Sequence, residues 1–224
     1  MIRGNLSGFP FVIVENVLSD KSKASRESPK LDDDGSRLSE VLAYWHENHR
    51  GRFDRISESL ETSTGLKIQS RPIDGDNKLC LLEGYKKPIP LKRASDGTLR
   101  LVAYYILLNE PELPPLIAIE EPERNLHPGA LAEITNALEQ LAERTQVIIT
   151  THSSQLLDAF NPQNLSNSPG VLLLRNPLGH GTEVTNLEDI RGKREALDGW
   201  ITDFGIGSAI FHSQLLPGPV EESE

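Results

Sequence analysis

Between Leu116 and Thr150 the chain changes its apolar period twice, and this most narrows what it can fold into. "LIAI" (116–119) is a short continuous apolar run, the pattern of a strand buried on both faces of a parallel sheet. "GALAEITNALEQLAER" then puts Leu131, Ile134, Leu138 and Leu141 on one helical face, and "QVIIT" (146–150) reads as a second buried strand. Strand, helix, strand within ~35 residues is a right-handed βαβ unit, which commits the region to an α/β fold. Ligands of such sheets sit beyond the carboxyl ends of the strands. Glu120 and Glu121 fall at one such end, and Thr150, Thr151 and His152 at the next.

Those residue types suit phosphoryl transfer. A carboxylate just past a buried strand can hold Mg²⁺, directly or through water, because the hard cation prefers oxygen ligands. A second carboxylate beside it can orient or deprotonate an attacking water, and a neutral histidine at the adjacent strand end can donate to the transferring phosphate. Each feature also has a plain reading: paired acids after a strand are common on surfaces, and Thr-Thr-His after a strand can cap the next helix.

The flanks are read in the same way. "FPFVIVEN" (9–16) predicts a strand, and residues 19–36 have almost no apolar residue, as in a solvated or disordered segment. Leu38, Val41, Leu42 and Trp45 fall on one helical face, and Phe53, Ile56 and Leu60 continue the pattern to Gly65. Leu66/Ile68 and Leu79/Leu81 alternate around Asp74-Gly75, predicting short antiparallel strands. "LRLVAYYILLNE" is an apolar helix starting near Thr98 and stopping before Pro111. "VLLLRNPLGHGTEVTNL" (171–187) reads as a hairpin extending the sheet, and residues 215–224 as a polar tail. Trp45, Trp200 and Cys80 are expected in the core; "LDDDG" (31–35) reads as a solvated charge run rather than a calcium loop; and His46, His49, His180 and His212 lack ligand spacing.

Composition removes several classes. At 37% hydrophobic and 25% charged the sequence is that of a soluble globular protein, with no run approaching the ~18–20 apolar residues of a membrane span. The N-terminal stretch has no cleavage pattern of a signal peptide, and a single cysteine cannot form an internal disulfide, so a cytoplasmic location is expected. The net charge of −10 disfavours a general nucleic-acid-binding surface without excluding a local basic groove.

Four segments occur in one order: "ASDGTLR" (94–100), "LIAIEEPE" (116–123), "RNLHP" (124–128) and "IITTHS" (148–153). They resemble the signature motif, Walker B, D-loop and switch-histidine loop of the ABC-type ATPases grouped with the SMC, RecF and OLD proteins. The resemblance covers roughly residues 90–160. It implies that Glu120 is the metal-associated carboxylate, Glu121 the general base and His152 a γ-phosphate contact. Ser95, Asp96 and Gly97 would face the γ-phosphate bound by the opposite subunit, and Asn125 and His127 would lie along the dimer seam. Independently of that resemblance, Gly97 permits close backbone approach, and free N–H groups at the start of its helix suit an anion. Ala94 stands where leucine is usual, and Glu120 where many relatives have aspartate. No G-x-x-x-x-G-K-[ST] occurs: Gly192-Lys193 lacks the earlier glycine and the following hydroxyl. The phosphate cradle is therefore not in these residues.

The fold class implied is α/β, a three-layer P-loop NTPase-like (ABC ATPase) domain with a mostly parallel sheet flanked by helices and an incomplete first lobe. The expected divisions are 1–36, an N-terminal strand and polar segment; 37–91, a helical and antiparallel β insert; 92–212, the C-terminal ATPase lobe; and 213–224, the tail. The expected activity is ATP binding and hydrolysis with Mg²⁺ by a head that pairs as a homodimer or with a partner ATPase lobe, the isolated chain being inactive for want of a P-loop. The alternative is a non-catalytic or regulatory fragment that binds a partner ATPase. By family analogy alone, a third reading is a component of a DNA-repair or phage-defence effector with a DNA-processing partner.

Overall fold

The computed structural model describes residues 11–14, 29–32, 35, 37–73, 75–82, 88–161, 170–176, 181–191 and 195–212. The chain divides into two compact units, Met1–Thr151 and His152–Glu224.

In the first unit, strands β1 (Phe11–Val14), β5 (Leu116–Glu120) and β6 (Gln146–Thr150) form a sheet in the order β1-β5-β6. β5 and β6 run parallel, Leu116 opposite Gln146 and Glu120 opposite Thr150, with α4 (Leu131–Ala142) as the crossover. The strand–helix–strand expectation is met. The expectation of a mostly parallel sheet is not, because β1 pairs antiparallel with β5, Val14 opposite Leu116. Nor is β6 a buried strand: Ile148 is 47% exposed, since β6 has one strand neighbour among the described residues. β5 is the central strand and sinks Ile117 and Ile119 into the core.

Four helices stack outward from β6 in sequence: α4 on the strand, α3 (Asp96–Asn109) on α4, α2 (Arg50–Thr64) on α3, and α1 (Leu38–Asn48) on α2. Every side chain from Leu99 to Leu107 of α3 is buried, as expected of a helix that is apolar all round. It begins two residues before Thr98, because Ser95 supplies the cap. Leu38, Val41, Leu42 and Trp45 of α1 and Phe53, Ile56 and Leu60 of α2 are all buried, as their spacing predicts. Gly65 ends α2 at φ 75° and returns its N–H to the Glu61 carbonyl, a left-handed cap that glycine adopts without steric cost. The Ser57 hydroxyl both donates to the Ile68 carbonyl and accepts from the Ile68 N–H, each at 3.0 Å, which fixes β2 (Lys67–Ile73) to α2.

β2 pairs with β3 (Asp76–Leu82), Ile73 opposite Asp76, with Gly75 at φ 86° before β3, and β3 pairs with β4 (Ile89–Pro90). Cys80 is a buried free thiol, as expected. The segment read as solvated is anchored at its end: Leu31 is buried and the Asp32 carboxylate accepts from the Arg37 N–H. Most of residues 19–36, and residues 213–224, lie outside the described residues.

The second unit contains α5 (Ser154–Ala159), β7 (Leu172–Arg175), β8 (Glu183–Asn186), α6 (Leu187–Arg191), α7 (Glu195–Phe204) and α8 (Ile206–His212). Its core joins Leu173, Leu187, Leu197, Ile201, Ile206 and Ile210. The hairpin forms as predicted but does not extend the sheet: among the described residues β7 and β8 pair only with each other. Trp200 is 42% exposed and tilts against Phe204 rather than entering the core. The Asp158 carboxylate accepts from the N–H groups of Gly207 and Ser208 and from the Ser208 hydroxyl, capping α8. Among the described residues no helix is long and apolar enough to cross a membrane, and no group of three or more His, Cys, Asp or Glu is placed to hold a metal ion.

Candidate functional site

Parallel pairing of β5 and β6 brings their carboxyl ends level, Glu120 opposite Thr150, so Glu121 and Thr151 leave the sheet at the same edge. Glu120 is exposed there. Glu121 leaves the strand at φ 45°, in the left-handed region that a non-glycine residue enters at a cost of order 1 kcal/mol. Three hydrogen bonds hold its peptide. Its N–H donates to the Thr150 carbonyl at 2.8 Å, and its own carbonyl accepts from the Arg124 N–H at 3.0 Å and from Arg100 Nη1 at 3.2 Å. Its carboxylate lies half-exposed, 4.0 Å from the Arg124 guanidinium, too solvated a pair to contribute much stability.

The chain then turns tightly. Pro122 is buried, the Leu126 N–H donates to the Glu123 carbonyl, and Asn125 takes φ 62°, which asparagine tolerates better than most residues. The Glu123 carboxylate points inward: Oε1 accepts the Thr151 hydroxyl at 2.5 Å, while Oε2 is buried with no hydrogen-bond partner among the described residues. His127 Nδ1 accepts from the Gly129 N–H at 3.1 Å, capping the 3-10 turn Pro128–Ala130. That bond assigns the ring hydrogen of neutral His127 to Nε2.

The start of α3 abuts this turn. Ser95 is the N-cap, accepting from the Thr98 N–H at 3.2 Å and sharing a hydrogen bond with the Thr98 hydroxyl at 2.9 Å. Asp96 is exposed in the first turn, where its charge complements the helix dipole and competes with any approaching anion. A Cβ on Gly97 would stand 3.0 Å from the Asn125 carbonyl oxygen and 3.2 Å from Leu126 Cδ2. Within this chain the close approach at Gly97 is to the 121–127 turn, a different partner from the anion expected there. Gly97→Ala is expected to destabilise the chain by about 1–3 kcal/mol through that overpacking, against the gain that alanine normally gives inside a helix. Urea unfolding checks the sign: a stabilised variant would mean that helix and turn part easily.

The first unit therefore carries Ser95, Asp96 and Gly97 at the start of α3, Glu120 at the end of β5, and Glu121, Asn125 and His127 in the turn that follows, with Gly97 packed against that turn. His152 belongs to the second unit, where it is exposed just ahead of the Ser153 N-cap of α5, whose hydroxyl accepts from the Leu156 N–H. Sequence reasoning missed Arg100 and Glu123, and placed Thr151 at the end of β6 without giving it a partner. Arg100 is 2% exposed, the charged side chain found among the buried described residues. Burial lowers its pKa from the ordinary guanidinium value, with the charge of Glu123 among those opposing the fall. Burial also pushes the Tyr104 phenol well above its ordinary range. A lone arginine inside "LRLVAYYILL" was the available signal.

The solved structures similar in shape are remote. They include a chain from work on ATP-driven dimerization and DNA-stimulated activation of SMC ATPases, at 12% identity and TM-score 0.46, covering 70% of this chain and 96% of that one. A second is the Smc head domain with an extended coiled coil bound to the C-terminal domain of ScpA, derived from Pyrococcus furiosus, at 12% identity and TM-score 0.49, covering 71% of this chain and 40% of that one. A third is the SmcHead bound to the C-winged helix domain of ScpA, at 14% identity and TM-score 0.45, covering 69% of this chain and 49% of that one. The matched region spans less than half of the latter two chains. Among curated proteins none matches the sequence. Residues 14–158, which carry the β5–α4–β6 unit and the acidic turn, match the family described as "AAA domain, putative AbiEii toxin, Type IV TA system", and the chain belongs to that family of P-loop NTPase-like α/β domains.

Proposed function

We propose that the chain forms the C-terminal lobe of an ABC-type ATPase head that acts through Mg–ATP-dependent dimerisation, with its phosphate cradle supplied by a lobe outside this sequence. The observation that carries the reading is the acidic turn: Glu120 and Glu121 lie at the carboxyl end of the central strand, level with Thr150, and the first turn of α3 packs against the segment that follows. The single exposed carboxylate of Glu120 fits Mg²⁺, which keeps several waters and takes one or two protein carboxylates together with phosphate oxygens rather than a closed cage. Bound there, the metal would supply charge neutralisation at the phosphates. Glu121 would accept the proton of the attacking water, its backbone already fixed so that the carboxylate needs little reorganisation. His152 would donate to the γ-phosphate. Ser95, Asp96 and Gly97 would meet the γ-phosphate held by the opposite subunit, and Asn125 and His127 would line the seam. Membership of the AAA family supports an ATPase-like domain; the lobe assignment, the pairing and these residue roles are the proposal.

One fact favours a second reading. A chain without G-x-x-x-x-G-K-[ST] has neither the backbone nest nor the lysine that grips the β- and γ-phosphates, as a non-catalytic fragment docking on a partner ATPase would. Calorimetry with Mg²⁺ separates the cases. The chain alone is expected to show no saturable micromolar ATP binding, and to sediment as a monomer or weak dimer. Adding a P-loop-bearing lobe is expected to create ATP binding and ATP-dependent pairing under the proposal, and ATP binding without turnover under the second reading. A tight dimer of this chain that ignores nucleotide would overturn both.

A further inference from the structure

We propose that Arg100 and Glu123 are positioning residues that hold the Glu121 peptide in its left-handed conformation and couple α3 to the carboxylate pair. The inference deepens the reading above and rests on it for the role of Glu121. A non-glycine residue at φ 45° persists only where its surroundings over-determine it. Thr150 and Arg124 supply two backbone hydrogen bonds from the strand end and the turn. The third comes from Arg100, buried on the helix whose first turn carries Ser95, Asp96 and Gly97. Glu123 completes the arrangement: its carboxylate accepts the Thr151 hydroxyl, tying the turn to the residue after β6, and its charge acts on Arg100 and Tyr104 of α3. A displacement of the α3 N-terminus is thereby felt at Glu121 through two routes, the Arg100 hydrogen bond and the Gly97 contact with Asn125 and Leu126.

Amide hydrogen exchange on the full chain, without nucleotide, tests this separately from the ATPase reading. Arg100→Met fills the space without a donor, whereas Arg100→Lys keeps a charged donor. A hydrogen bond to a charged group is worth enough that its loss is expected to speed exchange at the Glu121 and Arg124 amides by roughly tenfold or more in Arg100→Met. The α4 amides, after correction for any change in global stability, should be unchanged, and Arg100→Lys should recover most of the protection. Thr151→Val, nearly isosteric, removes the donor to Glu123 and should loosen the Leu126 amide in the same local manner should Arg100→Met fail to fold. Wild-type protection at Glu121 in Arg100→Met, equal loss in the Met and Lys variants, or a uniform rise that includes α4 overturns the inference. So does wild-type protection at Leu126 in Thr151→Val.

Discussion

Gly207→Ala is expected to destabilise the second unit by about 3–5 kcal/mol, an effect reserved for a few mechanisms. A Cβ at this position would lie 2.7 Å from both the carbonyl carbon and the Cα of Ser154, and closer still to the carbonyl oxygen. These are backbone atoms in the first turn of α5, which cannot swing aside as a flexible side chain would. α8 must therefore retreat, and overpacking of this kind costs about 1–3 kcal/mol by itself. Retreat also opens the clasp at Asp158, whose carboxylate accepts the Gly207 N–H at 2.7 Å and the Ser208 N–H at 3.2 Å. Loss of one of these hydrogen bonds to a charged group costs about 1.5–3 kcal/mol, which brings the sum to roughly 2.5–6 kcal/mol, centred on the stated range. Gly199 is the internal control: in α7 a Cβ there meets nothing within 4 Å, so Gly199→Ala should stabilise by about 0.5–1 kcal/mol. Trp200 reports on this unit, and its emission during urea unfolding, compared within a Trp45→Phe background, measures both variants. An unchanged midpoint for Gly207→Ala would show that α5 and α8 do not meet this closely.

The parts of the fold legible in the sequence are those with a strong local period or a local turn signal. Leu38, Val41, Leu42 and Trp45 are buried because a 3.6-residue period leaves one face to bury them, and Gly75 sits at the turn between β2 and β3. Position within a sheet is not a local property. "QVIIT" has the composition of an interior strand, yet its exposure depends on which strands flank it, and only β5 does so among the described residues. Trp200 fails for a related reason: its apolar spacing is real, but α7 commits Leu197 and Ile201 to the core and leaves Trp200 and Phe204 on its outer side. Of the candidate site, the placement of the carboxylate pair at the carboxyl end of β5 follows from strand and motif logic. Arg100 and the pairing of Glu123 with Thr151 did not, because they come from residues 21 and 28 positions apart meeting under a turn. A charge inside an apolar helix announces that some partner exists; it does not say which.

Glu121→Gln, made in a head completed with a P-loop-bearing lobe, is expected to lose a factor of ~10²–10⁴ in ATP turnover while ATP binding and the nucleotide-dependent dimer persist. The substitution keeps the size and hydrogen-bonding shape of the side chain but removes the carboxylate that would take the proton from water. It also leaves the backbone bonds of residue 121 to Thr150, Arg124 and Arg100 in place, so the left-handed turn should survive. With the side chain half-exposed and its one ion pair at 4.0 Å, stability should change by no more than about 0.5 kcal/mol. Glu120→Gln separates the neighbours. Glu120 is the exposed residue, last in β5 and opposite Thr150, and its loss should raise the Mg²⁺ concentration needed for half-maximal turnover rather than abolish proton abstraction. Two ordinary surface glutamates would produce neither phenotype: both variants would turn over at the parental rate with an unaltered Mg²⁺ titration. Parental turnover in Glu121→Gln alone would remove Glu121 as the base while leaving the metal role of Glu120 to stand on its own titration. Loss of ATP binding in Glu121→Gln would instead assign that carboxylate to holding the nucleotide, because a base acting only in the chemical step contributes nothing to the ground-state complex.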